Sequence, residues 1–308
     1  MDIDISAQFS SDTVCFDLLE YASSTSPALY NNDGTLMSEL KQSAVTLEVN
    51  EGIGLVTLNR PDALNTFTGA MMEELGAIYQ HCDTNDDIRV VVLTGSGKAF
   101  CAGADLSDGG NTFDSSDRED TSSCPLAMQA YEVRKPVIAA CNGHAVGVGL
   151  GVAAQCDIRI VAKEGKYGFL QNRRGVVTDF GMTTILPRIV GMERAFELLV
   201  RASKLTGDEL LAMGMASRVV AADQVLTEAL ALAKDMAVNC SPLVMGMHKQ
   251  LLWDNLSQSI DQGIAHETFA LNYSMRKPDA LEGGVAFFEK REPNWSATVS
   301  GDWPKQWD

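Results

Sequence analysis

The chain has 308 residues, 45% apolar and 7% aromatic, with a formal net charge of −17. That length holds one large domain or two small ones around a sizeable core. The acidic balance argues against nucleic acid as a partner, because phosphate binding needs a basic face. Solubility alone accounts for such a charge.

The seven cysteines (Cys15, Cys82, Cys101, Cys124, Cys141, Cys156 and Cys240) are odd in number and widely spaced. They fit neither a CxxC metal site nor a disulfide framework, and suit a reducing compartment. Cys141 and Cys156 lie in apolar runs and read as small core residues. The histidines (His81, His144, His248, His266) are scattered, so no metal site is expected. No apolar run is long enough to span a membrane. The acidic start is not a secretory signal, and the end, Gln306-Trp307-Asp308, carries no peroxisomal tripeptide. The expectation is a cytoplasmic protein.

Residues 1–43, rich in Ser, Asp and Thr, read as a partly ordered extension. Val45, Leu47 and Val49 then alternate, a turn falls at Asn50-Glu51-Gly52, and residues 53–59 run back as a β-hairpin. Met72, Leu75, Ile78, Tyr79 and Cys82 recur at helical spacing. Residues 88–94 (IRVVVLT) are a continuous buried-strand signal. Gly95-Ser96-Gly97 breaks it, and 107–123 is a polar, acidic loop. Lys135-Pro136 introduces a third strand, VIAAC. A glycine turn, a short helix and a fourth strand, DIRIVA, follow. Beyond Gly191 the pattern is mostly helical. Thr206 and Glu209 form a capping box, Ser241-Pro242 is an N-cap and first-turn pair, and helices are expected over 222–238, 242–253, 256–275 and 278–290. The class is α/β with a helical C-terminal part, divided as extension 1–43, core 44–205 and helical region 206–308. No internal repeat is visible.

Two segments follow buried strands in the same manner: 99–105 (AFCAGAD) and 142–149 (NGHAVGVG). Each places small residues where a helix should begin, and backbone N–H groups there are unpaired and lie at the positive end of the helix dipole. Two such donors converging on one point make an oxyanion hole; tight packing of helix on strand is the alternative. A dinucleotide fingerprint fails, because its third glycine falls on Val152.

The stretches NRPDALN (59–65), AFCAGADL (99–106), KPVIAACNGHAVGVGLG (135–151), LPRIVG (186–191) and FFEKREPNW (287–295) together resemble the crotonase, or enoyl-CoA hydratase/isomerase, superfamily. The resemblance implies a spiral of ββα turns with a helical trimerisation region, forming a homotrimer or dimer of trimers. It implies an acyl-CoA substrate with no other cofactor. The thioester oxygen would accept from the amides of Ala104 and Val148, which stabilise an enolate. Ala63 and Leu64, with Ala104, Asp105, Leu106 and Ser107, would line the CoA groove, and Lys290 would reach a CoA phosphate or a neighbouring subunit.

Hydratases of this superfamily carry two glutamates, at positions where this chain has Gly151 and Gln171. Adding water needs a group to activate it; Gly151 offers none, and Gln171 can only orient. Asp179 falls where several enoyl-CoA isomerases carry a carboxylate, and also at the attacking aspartate of the chlorobenzoyl-CoA dehalogenase branch. The histidine of that branch is replaced here by Cys124. The reading favoured is therefore an isomerase with Asp179 as base, its pKa raised by burial. The alternatives are hydratase or lyase chemistry on an unusual acyl group, and a catalytically silent acyl-CoA-binding protein. Asp179 could instead N-cap a helix beginning near Gly181. Arg173 and Arg174 read as a solvated pair, His144 as a packing residue and Asp105 as a brace for its loop.

Overall fold

A computed structural model describes residues 43–107, 109 and 122–307. The expectations for the extension before Ser43 and for most of the acidic loop lie outside the described residues.

Strands β1 (Val45–Asn50) and β2 (Ile53–Leu58) form the expected hairpin, with Val45 paired to Leu58 and Asn50 to Ile53. Its two turn residues, Glu51 (φ 49) and Gly52 (φ 79), are both left-handed, which is the backbone twist a two-residue hairpin requires. Helix α1 (Gly69–Thr84) starts on Thr68, whose hydroxyl accepts from the Met71 amide, and buries Met71, Leu75, Ile78, Tyr79 and Cys82. Met71, rather than the expected Met72, leads this stripe.

Three strand pairs follow: β3 (Val90–Gly95) with β4 (Ala99–Cys101), β5 (Val137–Cys141) with β6 (His144–Val146), and β7 (Ile158–Ala162) with β8 (Tyr167–Gly168). In each pair the first strand joins a six-stranded sheet, ordered β1-β2-β3-β5-β7-β9, and the second joins a small sheet, β4-β6-β8. Helix α2 (Val148–Gln155) follows β6 and α3 (Met182–Val190) follows β8. The small sheet is a correction to the sequence reading, which placed no strand within 99–105 or 142–149. Strands of three residues or fewer are too short to carry a period-2 signature.

Strands β3 and β5 are buried on both faces, which is why they read as unbroken apolar runs. Val91 and Leu93 face a core shared with α1, while Val90 and Val92 face Ala229, Ala233 and Ala237 on the opposite side. Beyond α3 come α4 (Met192–Phe196), a π-helical turn (Glu197–Arg201) and α5 (Gly207–Met213), which carries the Thr206/Glu209 capping box. The large sheet continues past residue 205: β9 (Arg218–Val220) adds to β7, and the alanine face belongs to α6 (Val225–Asn239). Three long helices complete the chain: α7 (Pro242–Asp254), α8 (Ile260–Ser274) and α9 (Pro278–Glu289), followed by a single turn, α10 (Val299–Asp302). Ser241 occupies the N-cap position of α7, but its hydroxyl donates to Asp279 Oδ2 at 2.6 Å instead of bonding its own helix. No helix among the described residues is long and apolar enough to cross a membrane.

Candidate active site

The first loop of the site is fixed from below by 59–67. Leu64 (φ 51) and Asn65 (φ 54) are successive left-handed residues, a conformation that needs outside support in non-glycine residues. Buried Asn65 provides it: Nδ2 donates to Ser96 O at 2.9 Å and Ala99 O at 2.8 Å, and Oδ1 accepts from Arg60 N at 2.7 Å. Phe67 pairs in parallel with Ala104. Phe67 N donates to Gly103 O (2.8 Å) and Asp105 N donates to Phe67 O (3.0 Å). Successive peptide groups along an extended segment point to opposite sides. The Ala104 amide therefore points away from Phe67, and among the described residues it has no acceptor.

Asp105 braces this loop. Its carboxylate accepts from Arg60 NH1 at 2.8 Å, Thr66 Oγ1 at 3.2 Å and Ser107 N at 3.0 Å. The Arg60 guanidinium leads in holding its pKa down at about 2. With the carboxylate turned inward, Asp105 offers a ligand mainly its backbone. Leu64 and Leu106 are large apolar side chains left exposed, and Ala63 is half-buried. Lys290 stands apart from this network, exposed at the left-handed C-cap of α9, and its side chain bonds no described residue.

The second loop turns on Gly147 (φ 56, ψ −123), a backbone geometry open to glycine alone. Leu150 N and Gly151 N share Gly147 O at 3.1 Å, whereas the Val148 amide, first in α2, has no acceptor among the described residues. Gly149 lies so close to Cys101 that a Cβ there would stand 2.7 Å from the cysteine Cβ. A Cβ on Gly147 would lie 4.0 Å from Gly103 Cα. The packing of helix on strand thus brings the two segments bearing unpaired amides, Ala104 and Val148, against each other. The packing reading of the small residues is met, and the same packing leaves both amides free of acceptors among the described residues.

The same hypothetical Cβ on Gly147 would lie 3.9 Å from Gln171 Cδ and Nε2. Gln171 begins a short 3₁₀ turn (Gln171–Arg174) after β8, and its Nε2 donates to Asp179 Oδ1 at 3.1 Å. Asp179 does not cap α3; Gly181 holds the cap position with no side-chain bond, which sets aside the capping alternative. A Cβ added to Gly151 would meet Asp179 Oδ1 at 3.8 Å and Phe180 Cβ at 3.2 Å. The carboxylate therefore reaches over α2 one turn from Val148. Burial raises its pKa above the ordinary aspartate value, opposed by its own amide and by Gln171. Gln171 Oε1 and Thr178 Oγ1 are buried without partners among the described residues. Cys124 lies beside this loop, its Sγ 4.0 Å from where Gly181 would carry a Cβ, with its thiol pKa raised chiefly by burial.

Arg173 and Arg174 are exposed and donate to the carbonyls of Arg201 and Leu170. His144 Nδ1 accepts from Lys166 N at 3.0 Å, a packing contact within the small sheet. Three residues of the site carried no role in the sequence reading. Asn65 closes the quoted NRPDALN stretch, which was a usable signal. Phe180, left-handed at φ 54, and Gln155, buried in α2, gave none, because backbone strain and burial are tertiary outcomes.

Strand pairs split between a six-stranded and a three-stranded sheet, with helices wrapped behind them and a helical C-terminal region, define a crotonase-type α/β protein. The chain belongs to the enoyl-CoA hydratase/isomerase family, whose model matches residues 48–298. It is 33% identical over 253 residues to a probable mitochondrial enoyl-CoA hydratase of Dictyostelium discoideum, covering 81% of this chain and 90% of that protein. It is 34% identical over 251 residues to the enoyl-CoA hydratase AFT3-1 of Alternaria alternata, covering 81% and 84% respectively. The crystal structure of a probable enoyl-CoA hydratase/isomerase from Mycobacterium abscessus superposes with a TM-score of 0.79 at 39% identity, covering 82% of this chain and 99% of that one.

Proposed function

We propose that this protein is an acyl-CoA-processing enzyme that shifts the double bond of an enoyl thioester, with Asp179 as its single acid/base. The observation that carries this reading is the placement of the Asp179 carboxylate over Gly151, one helical turn from the unpaired Val148 amide. Asp179 takes a proton from C2 of a 3-enoyl thioester. The electron pair moves onto the thioester oxygen, which the amides of Ala104 and Val148 stabilise. The dienolate collapses as the same carboxyl returns the proton to C4, leaving the 2-enoyl thioester. No atom is gained or lost, and no cofactor is required beyond the CoA carried by the substrate. Each oxyanion donor contributes a factor of about 10²–10³. A carboxyl raised by burial is a better base for a weak carbon acid than an ordinary aspartate. Ala63, Leu64, Ala104, Asp105, Leu106 and Ser107 hold the CoA portion, and Lys290 serves its phosphates or a neighbouring subunit.

The test is Asp179→Asn on a 3-enoyl-CoA substrate. Turnover is expected to fall to a trace residual rate while binding of the CoA ester persists; full activity would remove Asp179 from the mechanism.

A second reading, hydration, is favoured by the buried Gln171 Oε1, which lacks a donor among the described residues, and by the hydratase names of the relatives. A water held between Gln171 and Asp179 would satisfy that oxygen. Water addition to crotonyl-CoA and longer 2-enoyl-CoAs separates the two readings. A protein that binds these esters and turns over none of them would be the silent binder.

A further inference from the structure

Gln155 is fully buried at the end of α2. Four residues after Gly151, it lies on the same face of the helix. Its Nε2 donates to Phe180 O at 3.1 Å, while its Oε1 has no partner among the described residues. A buried amide with half its bonding unmet is a poor device for stability, since an apolar side chain of the same shape avoids that cost. What the amide does hold is the main chain beside Asp179. Phe180 is left-handed at φ 54, a strained choice for an aromatic residue. Two bonds clamp it: its N–H donates to Ser123 O at 2.8 Å, and its carbonyl takes the Gln155 amide. Its ring stands edge-on to Phe67, 6.3 Å between centroids, and Phe67 is the residue that orients the Ala104 amide.

We infer that Gln155 is a positioning residue for Asp179, acting through the carbonyl of Phe180 to keep the 179–180 backbone docked against α2. This rests on the reading of Asp179 as the base. Gln155 touches neither substrate nor proton. Without its bond the strained Phe180 relaxes, and the carboxylate swings off the line to the oxyanion pair.

The test is Gln155→Met, which keeps the shape and removes the donor, assayed on a 3-enoyl-CoA. The expected result is a fall in kcat of roughly 10- to 100-fold, with KM and melting temperature unchanged. On an Asp179→Asn background the same substitution is expected to leave the residual rate unaltered, since residues acting as a unit are not additive. Wild-type kcat in Gln155→Met overturns the inference. So does a kcat loss that tracks a fall in melting temperature, or an equal loss on the Asp179→Asn background. If Gln155→Met does not fold, Gln155→Asn, one methylene too short to reach Phe180, takes its place with the same criteria. The two readings fail differently: a fully active Asp179→Asn sinks the base itself, whereas a wild-type Gln155→Met beside an inactive Asp179→Asn sinks only the positioning role.

Discussion

Gln171 Nε2 donates to Asp179 Oδ1 across 3.1 Å, tying the turn after β8 to the loop before α3. The bond joins an amide at the start of that turn to a carboxylate eight residues further on. Gly151 carries no side chain, and the space above it is where the Asp179 carboxylate lies. Among the described residues, the Asp179 carboxylate thus approaches Gly151 from the α3 side, steered by a neutral amide.

That arrangement has a pH consequence. Burial raises the Asp179 pKa, and the Gln171 amide lowers it by stabilising the charged form. A base works ionised, so in the role proposed for Asp179 activity rises with pH as its carboxyl loses the proton, and the acid limb of the kcat profile is expected above the ordinary aspartate range. Gln171→Leu removes a donor to the carboxylate and moves this limb to still higher pH. A kcat profile measured from pH 4 to 9 checks both; a limb that moves downward in Gln171→Leu contradicts the assigned role.

The same raised pKa bears on stability. An aspartate with a folded-state pKa above its unfolded value favours folding below the unfolded pKa, and that advantage is lost as pH rises through the folded pKa. Asp179→Asn can still accept from Gln171 without carrying charge. Its melting temperature is therefore expected to match the wild type at pH 3 and to exceed it at pH 7. Thermal melts at the two pH values are the measurement, and a variant less stable at pH 7 than at pH 3, relative to wild type, counts against a raised Asp179.

Gly147 offers a separate test of the oxyanion pair. At φ 56 and ψ −123 it sits where a side chain strains the backbone, yet a Cβ there would meet nothing closer than 3.9 Å. The effect of Gly147→Ala is thus conformational rather than steric. The turn must relax, and the Val148 amide is displaced. Loss of one oxyanion donor predicts a kcat lower by about 10²–10³, with destabilisation of about 1–3 kcal/mol. Steady-state kinetics and a denaturant melt check the two effects together.

Long elements were legible in the sequence because their periods are. The β1–β2 turn, the buried runs of β3 and β5, the Thr206/Glu209 box and the three long C-terminal helices all fall within a few residues of expectation. The small sheet was not, since β4, β6 and β8 contain only three, three and two residues. At the site, the two segments 99–105 and 142–149 were approachable because small residues after strands signal unpaired amides, whereas Ala104, Val148 and Asp179 were singled out by their places in the superfamily pattern. The support beneath them lay beyond sequence reasoning. Asn65 reaches 31 and 34 residues along the chain to Ser96 and Ala99, and the Gln155–Phe180 bond spans 25. No local pattern encodes such pairings.

Core stability should depend on one buried ion pair. Lys249 Nζ lies 2.8 Å from Asp157 Oδ2 with its side chain only 5% exposed, and it also donates to the carbonyls of Ala130 and Lys135. Asp157 further accepts from Val137 N at 2.7 Å and Trp253 Nε1 at 3.0 Å. Asp157→Ala leaves a buried cation uncompensated and two neutral donors, Val137 N and Trp253 Nε1, unmet, a loss of about 3–5 kcal/mol. Lys249→Met keeps the two neutral donors on Asp157 and is expected to cost less. Urea unfolding of the two variants ranks them; a larger loss in Lys249→Met would contradict the argument.

The helical layer carries the last prediction. Leu252, Ile260, Leu281, Phe287 and Phe288 on α7 to α9 are each more than 70% exposed, more large apolar surface in one region than a monomer normally leaves in water. Self-association through this layer removes it, and a homotrimer or a dimer of trimers is the expected assembly. Lys290 lies two residues past Phe288, at the C-cap of the same helix, so an association that covers the phenylalanines would also carry Lys290 toward a neighbouring subunit. Sedimentation should find the trimer or hexamer for the wild type and a shift toward monomer in Phe288→Glu. Lys290→Ala should keep the assembly and raise KM for the CoA ester with kcat unchanged, the pattern of lost uniform binding. A monomeric wild type would refute the assembly, and an unchanged KM would remove Lys290 from the CoA site.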